Sequence, residues 1–239
     1  MLLAVAMPLP VIHAQQRSAA PYITMLDDPS MTIKQAAADT LGMLGTTGVA
    51  ALITRLQSDD QNVRYWAAVA LGRIGPAAGE AAPALAHALF TSERSVRTRV
   101  AAALGQVGPA AVPVLVPALA DTATQFWAAL TLSRLGPYLR PVVPDLITAL
   151  DVGSPIARAE VALALGEVGE PIPGAVPGLI RLLSVGDPWL TTRAAIVLSH
   201  MGPEARAAIP ALEALAVNEN PDVRARAAEA LTAIREVKE

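Results

Sequence analysis

Apolar side chains recur along most of this chain three or four residues apart, the spacing of one face of an α-helix. The stretch from Val63 to Ile74, VRYWAAVALGRI, places Val63, Ala67, Leu71 and Ile74 on such a face. The pair Gly75-Pro76 follows directly. Glycine favours a left-handed helix end and proline cannot continue the hydrogen-bond ladder, so the pattern predicts a helix that stops at Ile74. We call this element helix A.

The helix A pattern returns along the chain in register with one leucine. The aligned residues are Leu41, Leu71, Leu104, Leu132, Leu165, Leu198 and Leu231. The intervals between them are 30, 33, 28, 33, 33 and 33 residues. A glycine stands four residues after each of the first six leucines, and Arg235 takes its place after the last. Such self-similarity at a nearly fixed period predicts a stack of helical repeats rather than one globular core.

A second phrase, Pro-x-Leu-x-x-x-Leu, follows helix A in most repeats. It begins at Pro83, Pro113, Pro144 and Pro177, and a variant begins at Pro210. Proline is favoured in the first turn of a helix, so the phrase predicts a second helix, helix B. Pro117 falls one turn inside its helix and is expected to kink it. Each repeat is therefore predicted to be a hairpin of about 33 residues whose apolar faces are covered by its neighbours.

The sequence divides into three parts. Residues 15–32 are expected to form an N-terminal capping half-repeat, and residues 33–239 six repeats plus a C-terminal capping helix. Residues 1–14 contain an apolar run too short to span a bilayer, which ends at Ala14 before polar sequence, as in a secretory signal. No Lys or Arg precedes that run, so a degenerate first helix or a truncation stays open. A signal would export the protein to the periplasm or the medium; otherwise it is expected in the cytoplasm.

Composition narrows the class of protein. Hydrophobic residues make up 53% of the chain and aromatic residues only 3%, so the apolar content is mainly Ala, Leu and Val, which suits an all-α fold. The formal net charge of −3 argues against a nucleic-acid-binding surface, which needs a basic stripe. Cysteine is absent, which excludes disulfides and thiolate metal sites. We expect no cofactor, no metal and no membrane span.

The combination AAxALGxxG followed by Pro-x-Leu resembles HEAT repeats of the short, phycobilisome-lyase-like kind, from about Ile33 to the C-terminus. The resemblance implies a right-handed α-solenoid with helix B on its concave face. It also implies a non-catalytic scaffold that binds another protein, because members of this superfamily mostly bind proteins on an extended curved surface. An accessory subunit of the bilin-lyase type is the alternative, and a nucleic-acid-binding protein is a weaker one.

The enzymes that share this repeat class can be checked against individual residues. The chain is similar in its repeats to deoxyhypusine hydroxylase, which holds two irons with His-Glu pairs. The histidines here are His13, His87 and His200, and none precedes Glu. No Ser/His/Asp set, phosphate loop or pair of carboxylates at fixed spacing stands out. The sequence therefore predicts a protein that is not an enzyme.

Large side chains recur at one helix A position, five residues before the aligned leucine. Trp66, Arg99 and Trp127 occupy it in three consecutive repeats, with Tyr65 and Phe126 beside the tryptophans. Neighbouring helices pack about 8–10 Å apart, so an Arg between two indoles is expected to touch both. Trp, Tyr and Arg dominate binding hot spots, which makes these five residues the candidate partner-binding patch. The competing interpretation is that they fill space between alanine-rich helices.

Helix B supplies weaker candidates. On the concave face that the resemblance implies, Arg55, His87, Asp145 and Arg181 would line the groove. They carry too few charges for a phosphate or metal site, and a lone exposed histidine is usually solvated surface.

Two further charged positions recur near the start of helix A. Acids precede it at Asp60, Glu93, Asp121 and Asp187, and bases lie within its first turn at Lys34, Arg64, Arg97, Arg158 and Arg224. The acids suit helix N-caps. The resemblance to HEAT repeats implies acid–base pairs between neighbouring repeats. We therefore assign both positions a structural role.

Overall fold

The computed structural model describes residues 18–236, and the predicted signal segment 1–14 lies outside them. In chain order the α-helices are α1 (Ala20–Met25), α2 (Met31–Leu44), α3 (Val49–Arg55), α4 (Gln61–Ile74), α5 (Ala82–Thr91), α6 (Arg94–Val107), α7 (Val112–Leu115), α8 (Gln125–Leu132), α9 (Val143–Ala149), α10 (Pro155–Gly166), α11 (Val176–Leu183), α12 (Pro188–Met201), α13 (Ile209–Ala214) and α14 (Pro221–Arg235). Short 3₁₀ turns join most of them, and the described part contains no strand. The predicted all-α solenoid is confirmed.

The helices form two rows. The even-numbered helices α2 to α14 are the helix A elements, and the odd-numbered helices α1 to α13 are the shorter helix B elements. Neighbouring A helices pack directly on one another along the stack, whereas neighbouring B helices touch much less.

Glycines directly after the aligned leucines allow the A helices to approach closely. A Cβ atom at Gly72 would lie 3.1 Å from the Cα of Ala103, and one at Gly42 would lie 2.6 Å from the Cβ of Arg73. These distances leave little or no room for a side chain, so the glycine sets the spacing of the row. This glycine belongs to the AAxALGxxG motif, but its spacing in the sequence predicted no packing role for it.

The glycines that end helix A have the positive φ that the pattern predicted. Gly45, Gly75 and Gly108 have φ of 67°, 69° and 79°. Their ψ values of −137°, −140° and −134° lie outside the left-handed helical region, in a region open to glycine alone. The chain then enters a 3₁₀ turn instead of continuing in a left-handed cap.

The aligned leucines form the centre of the core. Leu41, Leu71 and Leu104 are completely buried, as are Leu132 and Leu198. Leu231 on α14 is only half-buried, because α14 is the last helix A and no further repeat covers it.

The first-turn arginines of helix A bind backbone carbonyls of the turn that precedes it. Arg64 donates to the carbonyl of Ser58 at 2.6 Å, Arg158 to that of Leu150 at 2.6 Å, and Arg224 to that of Asn218 at 2.6 Å. Each arginine therefore fastens the turn between helix B and the next helix A. This confirms the structural role predicted for the basic position.

The acids before helix A behave less uniformly. Asp60 and Asp187 accept hydrogen bonds from backbone N–H groups of the first helical turn, as predicted for N-caps. Glu93 caps α6 by position without a side-chain bond and instead pairs with Arg64 at 2.6 Å. The hydrogen bond from Arg64 lowers the pKa of the Glu93 carboxyl. Asp121 lies three residues before the N-cap of α8 and accepts from Ala123 N–H.

The stack loses its regularity between α6 and α9. Helix B of this repeat has only four α-helical residues, Val112–Leu115, and continues as a 3₁₀ turn over Val116–Ala120. The break falls at Pro117, as its position predicted. The following helix A, α8, has 8 residues where α4 and α6 have 14.

Two helical runs, Met31–Arg55 and Arg94–Ala120, have the length and apolar composition of a membrane span. Each is a helix A and its following helix B, joined through Gly45 or Gly108 with positive φ. Neither run is one straight helix, and length and composition alone do not establish a span.

Candidate functional site

The candidate patch lies on the A row, across α4, α6 and α8. Trp66 belongs to the core: its side chain is 9% exposed, and its indole Nε1 is buried without a hydrogen-bond partner. Tyr65 beside it is half-buried and meets the Trp66 ring edge-on, with 5.2 Å between ring centroids. Of the two interpretations of the patch, space filling therefore describes Trp66.

Arg99 does not lie between two indoles, contrary to the prediction. Its guanidinium lies 5.0 Å from the centroid of the Tyr65 ring and donates to the Tyr65 hydroxyl at 2.6 Å. The expected contact with Trp66 fails because that indole points into the core. The side chain of Arg99 is exposed and held in place by Tyr65.

Phe126 and Trp127 line an open groove between α6 and α8. The two rings meet edge-on, with 5.3 Å between centroids, and both are half-buried. The groove has a volume of about 470 Å³, within the usual range of ligand sites of about 300–1,000 Å³. We define the α6–α8 groove by its lining: Arg94, Arg97, Thr98, Phe126, Trp127 and Leu130.

Arg97 connects the two sides of the α6–α8 groove. Its Nε donates to the carbonyl of Ser92 at 2.5 Å, which fixes the side chain at the start of α6. Its guanidinium carbon lies 5.9 Å from the centroid of the Trp127 ring, in the range of a cation–π contact. From the repeat pattern, Arg97 was expected to have only a structural role in acid–base pairs between neighbouring repeats.

Arg94 is the exposed cation of the α6–α8 groove. Within residues 18–236 its side chain has no hydrogen bond or ion pair. The six residues that line the groove include two arginines and no carboxylate. Sequence reasoning missed Arg94, although the 28-residue interval between Leu104 and Leu132 already marked this junction as unusual.

Two weaker candidates on helix B form ion pairs with neighbouring repeats. Arg55 lies 2.8 Å from Asp27, and Arg181 lies 2.6 Å from Asp151. The hydrogen bond to Asp151 raises the pKa of Arg181. These contacts give both arginines a structural role between repeats.

The other two helix B candidates lie in shallow grooves of the B row. His87 is exposed beside Arg64 and Ser92 in a mainly polar depression of about 300 Å³. Asp145 lies at an apolar depression of about 400 Å³ that includes Pro117. The structure therefore does not bring the four helix B candidates into one site.

No group of three or more His, Asp or Glu side chains within residues 18–236 is arranged to hold a metal ion. The features that stand out in the described part are an aromatic pair, exposed cations and an open groove, a combination typical of binding surfaces.

The fold is an α-solenoid of stacked helical hairpins. A family model described as HEAT repeats matches residues 49–133 and 143–232. The chain belongs to the HEAT repeat family. The interruption between the two matched segments falls just after α8, next to the irregular junction.

Solved structures resemble the chain in fold. An engineered protein from a structural genomics consortium matches with a TM-score of 0.51 and 20% identity, over 91% of this chain and 68% of its own. Computationally designed armadillo repeat proteins for modular peptide recognition match with a TM-score of 0.48 and 16% identity, over 91% and 99%. No curated protein matches the sequence. At such identities the likeness to the engineered protein supports the fold alone.

Proposed function

We propose that this protein is a non-catalytic scaffold that binds another protein on its A row, at the α6–α8 groove and the adjoining Tyr65–Arg99 pair. The observation that carries the proposal is the groove itself. It places two half-buried aromatic rings beside an exposed arginine without an ion pair among the described residues. Aromatic and arginine side chains clustered at an open groove are the usual composition of binding hot spots.

Trp66 and Trp127 have the same repeat position but different expected roles. Trp66→Ala would leave a core cavity and is expected to cost about 3–5 kcal/mol of folding free energy. Trp127→Ala removes a half-buried ring, so a smaller loss is expected. Melting curves of the two variants, recorded side by side, check this difference. Equal losses would mean that Trp127 is core and would remove the groove from the proposal.

Capture of a partner from the native organism tests the function directly. We expect wild-type protein and Trp189→Ala to retain the same partner and Trp127→Ala to lose it. Trp189 is the matched control, since it is 39% exposed and has its own cation–π contact, with Arg193 at 4.9 Å, outside the groove. Capture that survives Trp127→Ala would move the interface elsewhere. An accessory role of the bilin-lyase type and DNA binding are alternatives, tested on the same protein by tetrapyrrole absorbance and by salt-dependent binding.

The N-terminal sequence supports export. We propose that a signal segment ending at Ala14 is removed, so that protein recovered from its source begins near Gln15. N-terminal sequencing would give Met1 on cytoplasmic material if the protein is not exported.

A further inference from the structure

The α6–α8 groove also has a charge pattern, which bears on the partner's chemistry. From Arg94 to Arg99 the start of α6 carries three arginines and no acid, and α8 carries no charged residue. The acid directly before them, Glu93, is already bound to Arg64 of the preceding repeat. This strip is therefore locally positive in a chain whose formal net charge is −3.

The three arginines of the strip differ in their contacts. Arg97 is tied to the Ser92 carbonyl and Arg99 to the Tyr65 hydroxyl, so their guanidinium groups are held in place on the surface. Arg94 is exposed and has no side-chain partner among residues 18–236. A planar guanidinium with free N–H groups binds a carboxylate through two parallel hydrogen bonds. Arg94 can therefore donate two hydrogen bonds to a carboxylate of the partner, and Arg97 and Arg99 add positive electrostatic potential.

The floor of the groove is apolar. Phe126, Trp127 and Leu130 line it opposite the arginines. An apolar side chain seated there would complete the packing that the shortened α8 leaves open. An occupant that satisfies both halves of the groove carries an apolar side chain flanked by acidic groups.

We infer that the partner presents an acidic peptide segment with an apolar, preferably aromatic, side chain, whose carboxylate binds Arg94 while that side chain enters the α6–α8 groove. The inference rests on the proposed protein-binding function and specifies its ligand. A nucleic acid also offers negative charge and stacking bases. It needs a longer basic track than the six residues from Arg94 to Arg99, and the chain as a whole is acidic.

Synthetic probes test the inference without knowledge of the natural partner. The main probe is a fluorescent nine-residue peptide of alternating Asp and Glu with one central Phe. Control probes replace the Phe with Ser or the acids with Lys, and a nine-nucleotide oligothymidylate represents nucleic acid. We expect the main probe to bind wild-type protein tightest in fluorescence anisotropy, since only it matches both halves of the groove.

Charge reversal at Arg94 locates the binding. We expect Arg94→Glu to weaken the main probe about tenfold or more, because a hot-spot cation becomes a repulsive anion. Arg206→Glu is the matched control: this exposed arginine lies in the turn before α13, and its reversal changes the net charge equally. Circular dichroism verifies that both variants fold.

Several outcomes would overturn the inference. They are equal weakening by the two charge reversals, equal binding of the Lys or Ser probe, and tighter binding of the oligothymidylate. If the acidic probe fails while capture of the native partner still depends on Trp127, the scaffold function stands and only the assigned chemistry is wrong. If both fail, the proposed function is wrong as well.

Discussion

The contacts α4–α6 and α6–α8 are successive steps of the same row, yet they are built differently. Between α4 and α6 the helices are 14 residues long, and Gly72 admits the backbone of Ala103 at close range. Between α6 and α8 the packing is much looser, and a groove of about 470 Å³ remains. Trp66 on α4 is buried, whereas Trp127, its equivalent on α8, is half-buried.

Several departures from the repeat pattern coincide at the loose step. From Leu115 to Leu132 the chain has 17 positions, where the equivalent leucines elsewhere, such as Leu85 and Leu104, are 19 apart. Helix B before α8 breaks at Pro117 and continues as a 3₁₀ turn. Gln125 replaces the first-turn arginine and donates to the Val152 carbonyl at 2.7 Å, with its buried Oε1 unpaired. Each departure removes one device that holds regular repeats together.

The comparison shows that, in this chain, an aromatic side chain of the A row stays partly accessible where the repeat pattern is interrupted. Trp66 is packed in the core, and Arg64, Arg158 and Arg224 bind backbone carbonyls of the turns that precede their helices. At the irregular junction the same residue types face an opening. The predictions below test whether the two steps differ as much in stability as they do in packing.

The largest effect is expected from the aligned leucines. Leu104→Ala and Leu165→Ala should each cost about 2–5 kcal/mol, because both side chains are almost completely buried, at 0% and 1% exposure. Leu231→Ala is the control, since that leucine is only half-buried on the terminal helix. Denaturant unfolding measures all three. Losses under about 1 kcal/mol at both buried positions would show that the register of helix A is wrong.

Much of the fold could be predicted from the sequence, because the residues that make each contact recur at equivalent positions in several repeats. The helix A ends, the buried leucines and the break at Pro117 all followed from spacing and residue type. The orientation of side chains did not. Tyr65 and Trp66 are neighbours in sequence, and only the packed structure shows which of them enters the core and which one Arg99 contacts. The α6–α8 groove was missed because it results from a shortened repeat, in which fewer residues separate Leu115 from Leu132 than separate the equivalent leucines elsewhere, rather than from a motif.

A middle-sized effect is expected from crowding the tight step. Gly72→Val should cost about 1–3 kcal/mol, because its side chain would collide with the backbone of Ala103. Gly105→Val makes the same change at the equivalent position of the loose step, where a Cβ atom would lie 3.4 Å from the Cβ of Arg134, and should cost clearly less. Thermal melts of the two variants compare the steps directly. If Gly105→Val is as damaging as Gly72→Val, the α6–α8 step does not offer the space that distinguishes the junction.

The smallest effect concerns Glu160, which follows Trp127 at the same repeat position, one unit further along the row. The side chain is 6% exposed, and burial raises the pKa of its carboxyl, while Arg193 and Arg134 act in the opposite direction. A raised pKa means that the folded state binds the proton more tightly than the unfolded state. The ionised carboxylate therefore lowers stability at neutral pH, and the loss is recovered as the pH falls through the folded-state pKa.

Glu160→Gln removes that titration and keeps the shape of the side chain. We expect the variant to melt slightly higher than wild type at pH 7, since neutral Gln avoids the cost of burying a charge. The difference should shrink as the pH falls below the ordinary pKa of a carboxyl, where wild-type Glu160 is also neutral. Melting curves from pH 7 down to acid check both points. If Gln is less stable at pH 7 and the gap closes in acid, attraction by Arg193 and Arg134 outweighs burial. That result would make Glu160 an ion-pair partner of Arg193 and Arg134 within the A row. Burial at this repeat position would then not destabilise the charged side chain.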